Sequence, residues 1–244
     1  MAFPLHRSFS MTTLFRSIVL ALSVLTTLGA AGAAAAPSDD RVLPVESYTS
    51  EKGKTLARTH AKALGDLNAQ IYHCMPWVEV QKQSIGFFKP KNATQDDRYL
   101  SIRIFVEQEP SPQFAGLAVE ERASSMFSRY VGPLVRRMAA YVPPTGDPAV
   151  DGFTVIIEWL KQHPAASSDD RPVHETMAVF IDRPTALEFL AGTLIPRDLA
   201  SRSRVMAWDG ASALGPLSVS AWEDNFVSTY KVQNYQLEKG VTCQ

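Results

Sequence analysis

Residues 98–107, RYLSIRIFVE, alternate between apolar and mostly polar side chains, and this stretch decides the fold class. Leu100, Ile102, Ile104 and Val106 fall on one face, because successive side chains of a strand point to opposite faces of its sheet. An alternation of this length predicts a β-strand with one buried face. A sheet built from such strands needs a second layer to cover that face.

Helical and strand-like segments follow one another along the rest of the chain. We expect helices over 50–75 and 118–141, and a third that Asp182 begins. Shorter apolar runs indicate further strands over 84–89, 153–161, 173–181, 203–208, 217–222 and 226–237, although Glu223 and Asp224 could open a helix before the last of these. The order strand–strand–helix occurs twice, which suggests a duplicated unit. We therefore predict an α+β fold with a mainly antiparallel or mixed sheet and helices packed on one face.

The ends of the helices carry their own signals. Ser50 is the expected N-cap of the first helix, and Pro76 ends it. Gly132 and Pro133 are expected to kink or break the second helix, because proline has no backbone N–H and its ring clashes with the preceding turn.

Residues 1–34 have the order of a secretory signal peptide. Arg7 and Arg16 precede an apolar run over 18–28, and small residues follow over 30–36. Cleavage near this point predicts a secreted or periplasmic protein. Retention as an uncleaved membrane anchor and an organellar transit peptide are the alternative interpretations.

The rest of the chain has the size of one large domain. We expect a flexible N-terminal lead over 35–45 and a single α+β domain over 46–244. Within it, residues 142–151 contain three prolines and one glycine, so this segment is the best candidate for an internal subdomain boundary.

The charge of the mature chain gives no electrostatic reason to expect nucleic acid or an anionic membrane surface as a partner. The signal segment holds two of the 24 basic residues and none of the 25 acidic ones, which leaves 22 against 25 and a net charge of −3. We expect no nucleic-acid partner from this balance, and no apolar run after the signal is long enough for a stable membrane span.

Two cysteines, Cys74 and Cys243, lie in the exported part of the chain. An even number of cysteines in an oxidising compartment favours a disulfide, which here would join the end of the first helix to the C-terminal tail. Two unpaired thiols are the alternative.

No sequence motif identifies a reaction that the protein would catalyse. The chain has no G-x-S-x-G elbow and no H-E-x-x-H pair, and we expect neither a metal site nor a cofactor. His174, Glu175 and Asp182 are the candidates for an active site assembled in space, although adjacent strand residues point to opposite faces. The balance favours a protein that is not an enzyme.

Aromatic side chains at strand ends and beside turns are the candidates for ligand binding. Flat rings on an open sheet face would hold a glycan or an apolar ligand at little entropic cost. The sequence thus predicts a non-catalytic binding or interaction module for an unidentified small molecule, glycan or protein, with an exported hydrolase as the alternative. The aromatic candidates are Trp77, Phe88, Trp159, Trp208 and Trp222.

Overall fold

The structure is a computed structural model that describes residues 37–91, 93–106, 112–162, 171–220 and 243. Its strands are β1 (Val78–Val80), β2 (Gly86–Phe88), β3 (Tyr99–Val106), β4 (Gly152–Gln162), β5 (Val173–Asp182), β6 (Arg204–Asp209) and β7 (Ser212–Pro216). The α-helices are α1 (Glu51–Thr59), α2 (Ala61–Cys74), α3 (Pro112–Ala115), α4 (Val119–Met126), α5 (Gly132–Tyr141), α6 (Arg183–Leu190) and α7 (Pro196–Arg202). Two short 3₁₀ turns, Asp39–Arg41 and Val45–Ser47, precede them.

The strands form one mixed sheet. Its order is β1-β3-β4-β5-β6-β7, and β2 also pairs with β3. Every pairing is antiparallel except that of β3 with β4, where Ile102 lies opposite Val155. Parallel neighbours need a crossover, and the segment that contains α3, α4 and α5 supplies it. The predicted α+β class with a mainly antiparallel, mixed sheet is therefore confirmed.

One face of the sheet forms the core. The four apolar positions predicted for β3 are all fully buried, and helical residues such as Leu67, Val131 and Leu134 lie in the same core cluster. Alternate residues of β4 and β5 complete this face. The other face of the sheet has no helix of the described residues packed on it.

The first helical stretch is two helices, not one. The predicted N-cap is confirmed, since Ser50 Oγ accepts a hydrogen bond from Gly53 N at 3.2 Å. The helix is interrupted at His60, which lies between α1 and α2. The His60 ring is hydrogen-bonded through Nε2 to Asp147 Oδ2 at 2.9 Å, so a tertiary contact holds the residue at the break.

The second helical stretch is not broken at its proline, but its geometry changes just before Gly132. A π-helical turn, Phe127–Val131, lies between α4 and α5. Because Pro133 has no N–H, the Arg129 carbonyl four residues earlier cannot receive the usual α-helical bond. The chain accommodates this loss in a wider turn rather than in a break.

The predicted strand over 217–222 is wrong in its described part, since residues 217–220 belong to no strand. The strand that pairs with β6 is β7, which begins only two residues after Gly210. Gly210 has a φ of +56°, and this left-handed conformation reverses the chain early enough for Ser212 to pair with Asp209. The predicted strand over 226–237 lies outside the described residues, and α3 and α7 were not predicted.

The segment before α1 lies against the sheet edge. Val42 forms a β-bridge with Ile85, and Leu43 N donates to the Ile85 carbonyl at 2.8 Å. Residues 142–151 connect α5 to β4, and the strands before and after this segment, β3 and β4, pair directly. In the part of the chain that the structure describes, no helix has the length and apolar character required to cross a membrane.

Candidate functional site

The sheet face opposite the helices is the candidate functional site, and we call it the open face. It is built by the alternate residues of β3, β4, β5 and β6 that do not point into the core. Strand register aligns these side chains in rows. The open face includes Arg103, Phe105, Ile156, Glu158, Leu160, His174, Thr176, Phe180, Arg204, Met206 and Trp208.

The open face is more apolar than a solvated sheet face ordinarily is. In one row, Phe105 of β3 and Trp208 of β6 lie at the ends, with Glu158 and Thr176 between them. An antiparallel sheet that faces water usually alternates with polar residues on that side. Six large apolar side chains on this face are half-buried instead: Phe105, Ile156, Leu160, Phe180, Met206 and Trp208.

A polar cluster lies among these apolar residues. Arg103 Nη2 donates to Glu158 Oε2 at 2.6 Å, and His174 Nδ1 donates to Glu158 Oε1 at 2.9 Å. The His174 ring also stacks on Phe105, with 5.3 Å between ring centroids and 21° between planes. Burial by itself would raise the pKa of Glu158, but the hydrogen bonds from His174 and Arg103 outweigh it and hold the pKa below its ordinary value.

A pocket of about 360 Å³ opens at the end of the open face next to β2. Its apolar walls are Phe88, Pro90, Ile156 and Phe180. Two of these residues belong to the open face, so the pocket and the open face are continuous. Its volume falls in the range of small-molecule sites.

The three residues predicted as catalytic candidates are not brought together. His174 lies on the open face, whereas the neighbouring Glu175 points into the core. Asp182, at the far end of β5, caps α6 through a hydrogen bond that its Oδ1 accepts from Thr185 N at 2.9 Å. The carboxylate that His174 contacts belongs to Glu158, which sequence reasoning did not select.

Glu175 has an evident structural partner. Arg122 of α4 binds it bidentately, with Nε at 2.7 Å from Oε2 and Nη2 at 2.6 Å from Oε1. Trp159 Nε1 donates to Oε2 at 3.0 Å. The pair is almost completely buried, so these bonds compensate for the desolvation of both charges and fix α4 against the sheet.

The aromatic candidates are divided between the open face and the core. Trp208 lies on the open face and Phe88 lines its pocket. Trp159 is buried, Trp77 is half-buried against the core, and Trp222 lies outside the described residues. Sequence reasoning missed Phe105, Phe180 and Met206, although the alternation of 98–107 already places Phe105 opposite the apolar face.

The two cysteines form a disulfide between Cys74 and Cys243, as predicted. A groove of about 760 Å³ in the helical layer is bordered by Cys74. Residues 221–242, which precede Cys243, lie outside the described residues, and the groove receives no assignment. Among the residues with described positions, no group of three His, Cys, Asp or Glu side chains could hold a metal ion.

No protein-family model matches this sequence, and neither the curated proteins nor the solved structures contain a match to it.

Proposed function

We propose that this protein is an exported, non-catalytic binding module that takes a small amphipathic ligand on the open face. The observation that carries the proposal is the half-buried apolar surface on a sheet face that no described helix covers. Binding a ligand there would remove this surface from water, which favours association roughly in proportion to the apolar area buried.

A small molecule suits the site better than a flat protein surface. The open face leads into a pocket whose lining combines the four apolar side chains named above with polar and cationic ones. Concave sites of this size are typical for small ligands. Phe105 and Trp208 would supply rigid contact area for the body of the ligand.

Export is supported by two independent features. The N-terminal segment has the charge and apolar order of a secretory signal. The chain also has its two cysteines joined in a disulfide, which forms and persists in oxidising compartments such as the periplasm or the extracellular space.

Native mass spectrometry of the protein, purified from its exported compartment without reductant, tests this function. We expect a mass above that of the disulfide-bonded chain, released on denaturation. The same preparation of Met206→Lys should lack the excess mass, because a charge among the apolar side chains of the open face opposes apolar binding.

The matched control is Ile195→Lys. Ile195 is also apolar and half-exposed, but it lies next to α7 in the helical layer. This variant should keep the bound mass. A bare chain in the unmodified protein, or a bound mass that survives Met206→Lys, would contradict the proposal.

The hydrogen bond from His174 to Glu158 favours one alternative, an exported hydrolase. A carboxylate that orients a histidine ring is half of the arrangement that activates a nucleophile. Turnover in a panel of esters, peptides and glycosides, lost in both His174→Ala and Glu158→Gln, would support the hydrolase. Unchanged turnover in these variants would exclude this site as its origin.

A further inference from the structure

The pocket at the end of the open face is strongly basic. Four cationic residues line it, and none of the described lining residues is acidic: the cations are Lys82, Lys89, Lys91 and Arg103. The mature chain as a whole carries more acidic than basic residues, so this local excess of positive charge is opposite in sign to the net charge of the molecule.

Two of these cations are available to a ligand. Lys82 Nζ is 3.1 Å from Asp40 Oδ2, and Arg103 binds Glu158. Lys89 and Lys91, by contrast, form no ion pair with any residue that the structure describes. Both are exposed, and they lie just after β2 on either side of Pro90. Their ammonium groups provide the net positive charge of the pocket.

The part of the pocket lining formed by Gln83 and Ser84 is held in a fixed shape. Gln83 adopts a left-handed φ of +50°, and its N–H donates to the Asp40 carbonyl at 2.8 Å. Ser84 Oγ donates to the Gln81 carbonyl at 2.7 Å. A non-glycine residue in this conformation is strained, and such strain often marks a binding site.

The basic pocket continues into an apolar surface. Phe180 and Ile156 line the pocket and also belong to the open face. The guanidinium of Arg204 lies over the Phe180 ring, 4.4 Å from its centroid, and adds a fifth cation beside the pocket. The cationic side chains at the pocket therefore lie directly beside the apolar side chains of the open face.

We propose that the pocket binds the anionic head group of an amphiphile whose apolar chain lies along the open face. This inference rests on the proposed function and names the class of ligand. Lys89 and Lys91 would bind the head group, while Phe180, Ile156 and Met206 would contact the chain. Charge complementarity between the cations and the head group would fix the orientation of the bound amphiphile, with its head group in the pocket.

Isothermal titration calorimetry with four probes tests the proposal at low ionic strength: decanoate, decyl maltoside, decyltrimethylammonium and acetate. The first three carry alkyl chains of nearly equal length with a negative, neutral or positive head group, and acetate has the charge without the long chain. All are used below their micelle-forming concentrations. We expect decanoate to bind most tightly, decyl maltoside more weakly and the other two not measurably.

The variant Lys89→Gln/Lys91→Gln should weaken decanoate binding about tenfold, because two exposed charge contacts are lost. Binding of decyl maltoside should stay unchanged. The variant Lys89→Arg/Lys91→Arg, which keeps both charges, should retain decanoate binding. Added salt should reduce the difference between the unmodified protein and the glutamine variant.

Lys62→Gln/Arg197→Gln is the matched control. It removes the same charge from exposed positions on α2 and α7, neither of which lines the pocket. Decanoate affinity should be unchanged in this variant. An equal loss in the control would show a general charge effect and overturn the proposal.

The remaining outcomes separate this inference from the proposed function. Equal affinity for decanoate and decyl maltoside, lost for both in Met206→Lys, would overturn the anionic ligand class while supporting the binding function of the open face. If acetate bound as tightly as decanoate, the proposed role of the ligand's alkyl chain would be overturned. No binding of decanoate would overturn the inference, and native mass spectrometry would then decide the proposed function separately.

Discussion

Glu158 and Glu175 lie on adjacent strands but on opposite faces of the sheet. Glu175 points into the core, where Arg122 and Trp159 satisfy its oxygens. Glu158 points to the open face, where Arg103 and His174 bind it at the boundary with water. The side of the sheet to which each glutamate points therefore determines its role. Glu175 stabilises the core, and Glu158 belongs to the polar cluster of the candidate site.

Breaking the buried pair should be costly. Arg122→Met leaves Glu175 buried without its bidentate partner, and we expect a loss of about 3–5 kcal/mol in the free energy of unfolding. Arg122→Met/Glu175→Leu removes both charges and should recover most of that loss. Urea unfolding of the two variants checks this, and equal destabilisation by both would contradict the role of the pair.

Glu158 should make stability depend on pH in the acid range. Its pKa is lowered in the folded protein, so its contribution is full above the ordinary glutamate value and is lost as the pH falls through the lowered pKa. Glu158→Gln should cost about 1 kcal/mol or less at pH 7 and flatten the pH profile below pH 5. Urea unfolding between pH 7 and pH 3 measures both effects.

Glu188→Gln is the control for this profile. Glu188 pairs with Arg202 at 2.7 Å on the surface of α6, and both side chains are about half-exposed. Its substitution should change stability little and leave the pH profile as it is. A profile for Glu158→Gln that matches the unmodified protein would contradict the prediction.

At the scale of the helices and strands, local sequence signals predicted some elements and their ends but failed to predict others. The alternation of β3 and the caps at Ser50 and Asp182 depend on neighbouring residues, so the sequence predicted them correctly. The break at His60 depends on Asp147, which is 87 positions away along the chain. No local pattern carries that contact, whereas the early start of β7 follows from the local turn at Gly210.

Two glycines in different elements should respond oppositely to alanine. At Gly152, the first residue of β4, a Cβ atom would clash with the Ile181 carbonyl oxygen and lie 2.8 Å from the Tyr99 ring. Backbone cannot move aside cheaply, so Gly152→Ala should destabilise by about 1–3 kcal/mol.

Gly65 is the counterpart, because it is exposed in α2 and a Cβ atom there meets nothing within 4 Å. Gly65→Ala should stabilise the protein by about 0.5–1 kcal/mol, since alanine restricts the unfolded chain and favours helix. Thermal and urea unfolding of both variants measure the sign of the stability change. Stabilisation by Gly152→Ala would show that the strands are not so closely packed at this point.

At the scale of the whole molecule, the fold class followed from the sequence but the site did not. The sequence predicts which face of β3 is buried, but it does not show which residues of β4, β5 and β6 share the opposite face with Phe105. Phe105, Glu158 and Trp208 then lie in one row because of the register of four strands. Register across strands is set by tertiary pairing, which composition and spacing do not reveal.

The disulfide acts at this largest scale, because Cys74 and Cys243 are 169 positions apart. A cross-link that closes so long a loop restricts the unfolded chain, and its removal should lower the free energy of unfolding by about 2–5 kcal/mol. Cys74→Ala/Cys243→Ala should therefore unfold at lower urea concentration than the unmodified protein. Reductant should lower the stability of the unmodified protein to nearly that of the variant and leave the stability of the variant unchanged. Thiol titration under denaturing conditions completes the test, because two reactive thiols in unreduced protein would mean that the cross-link does not form.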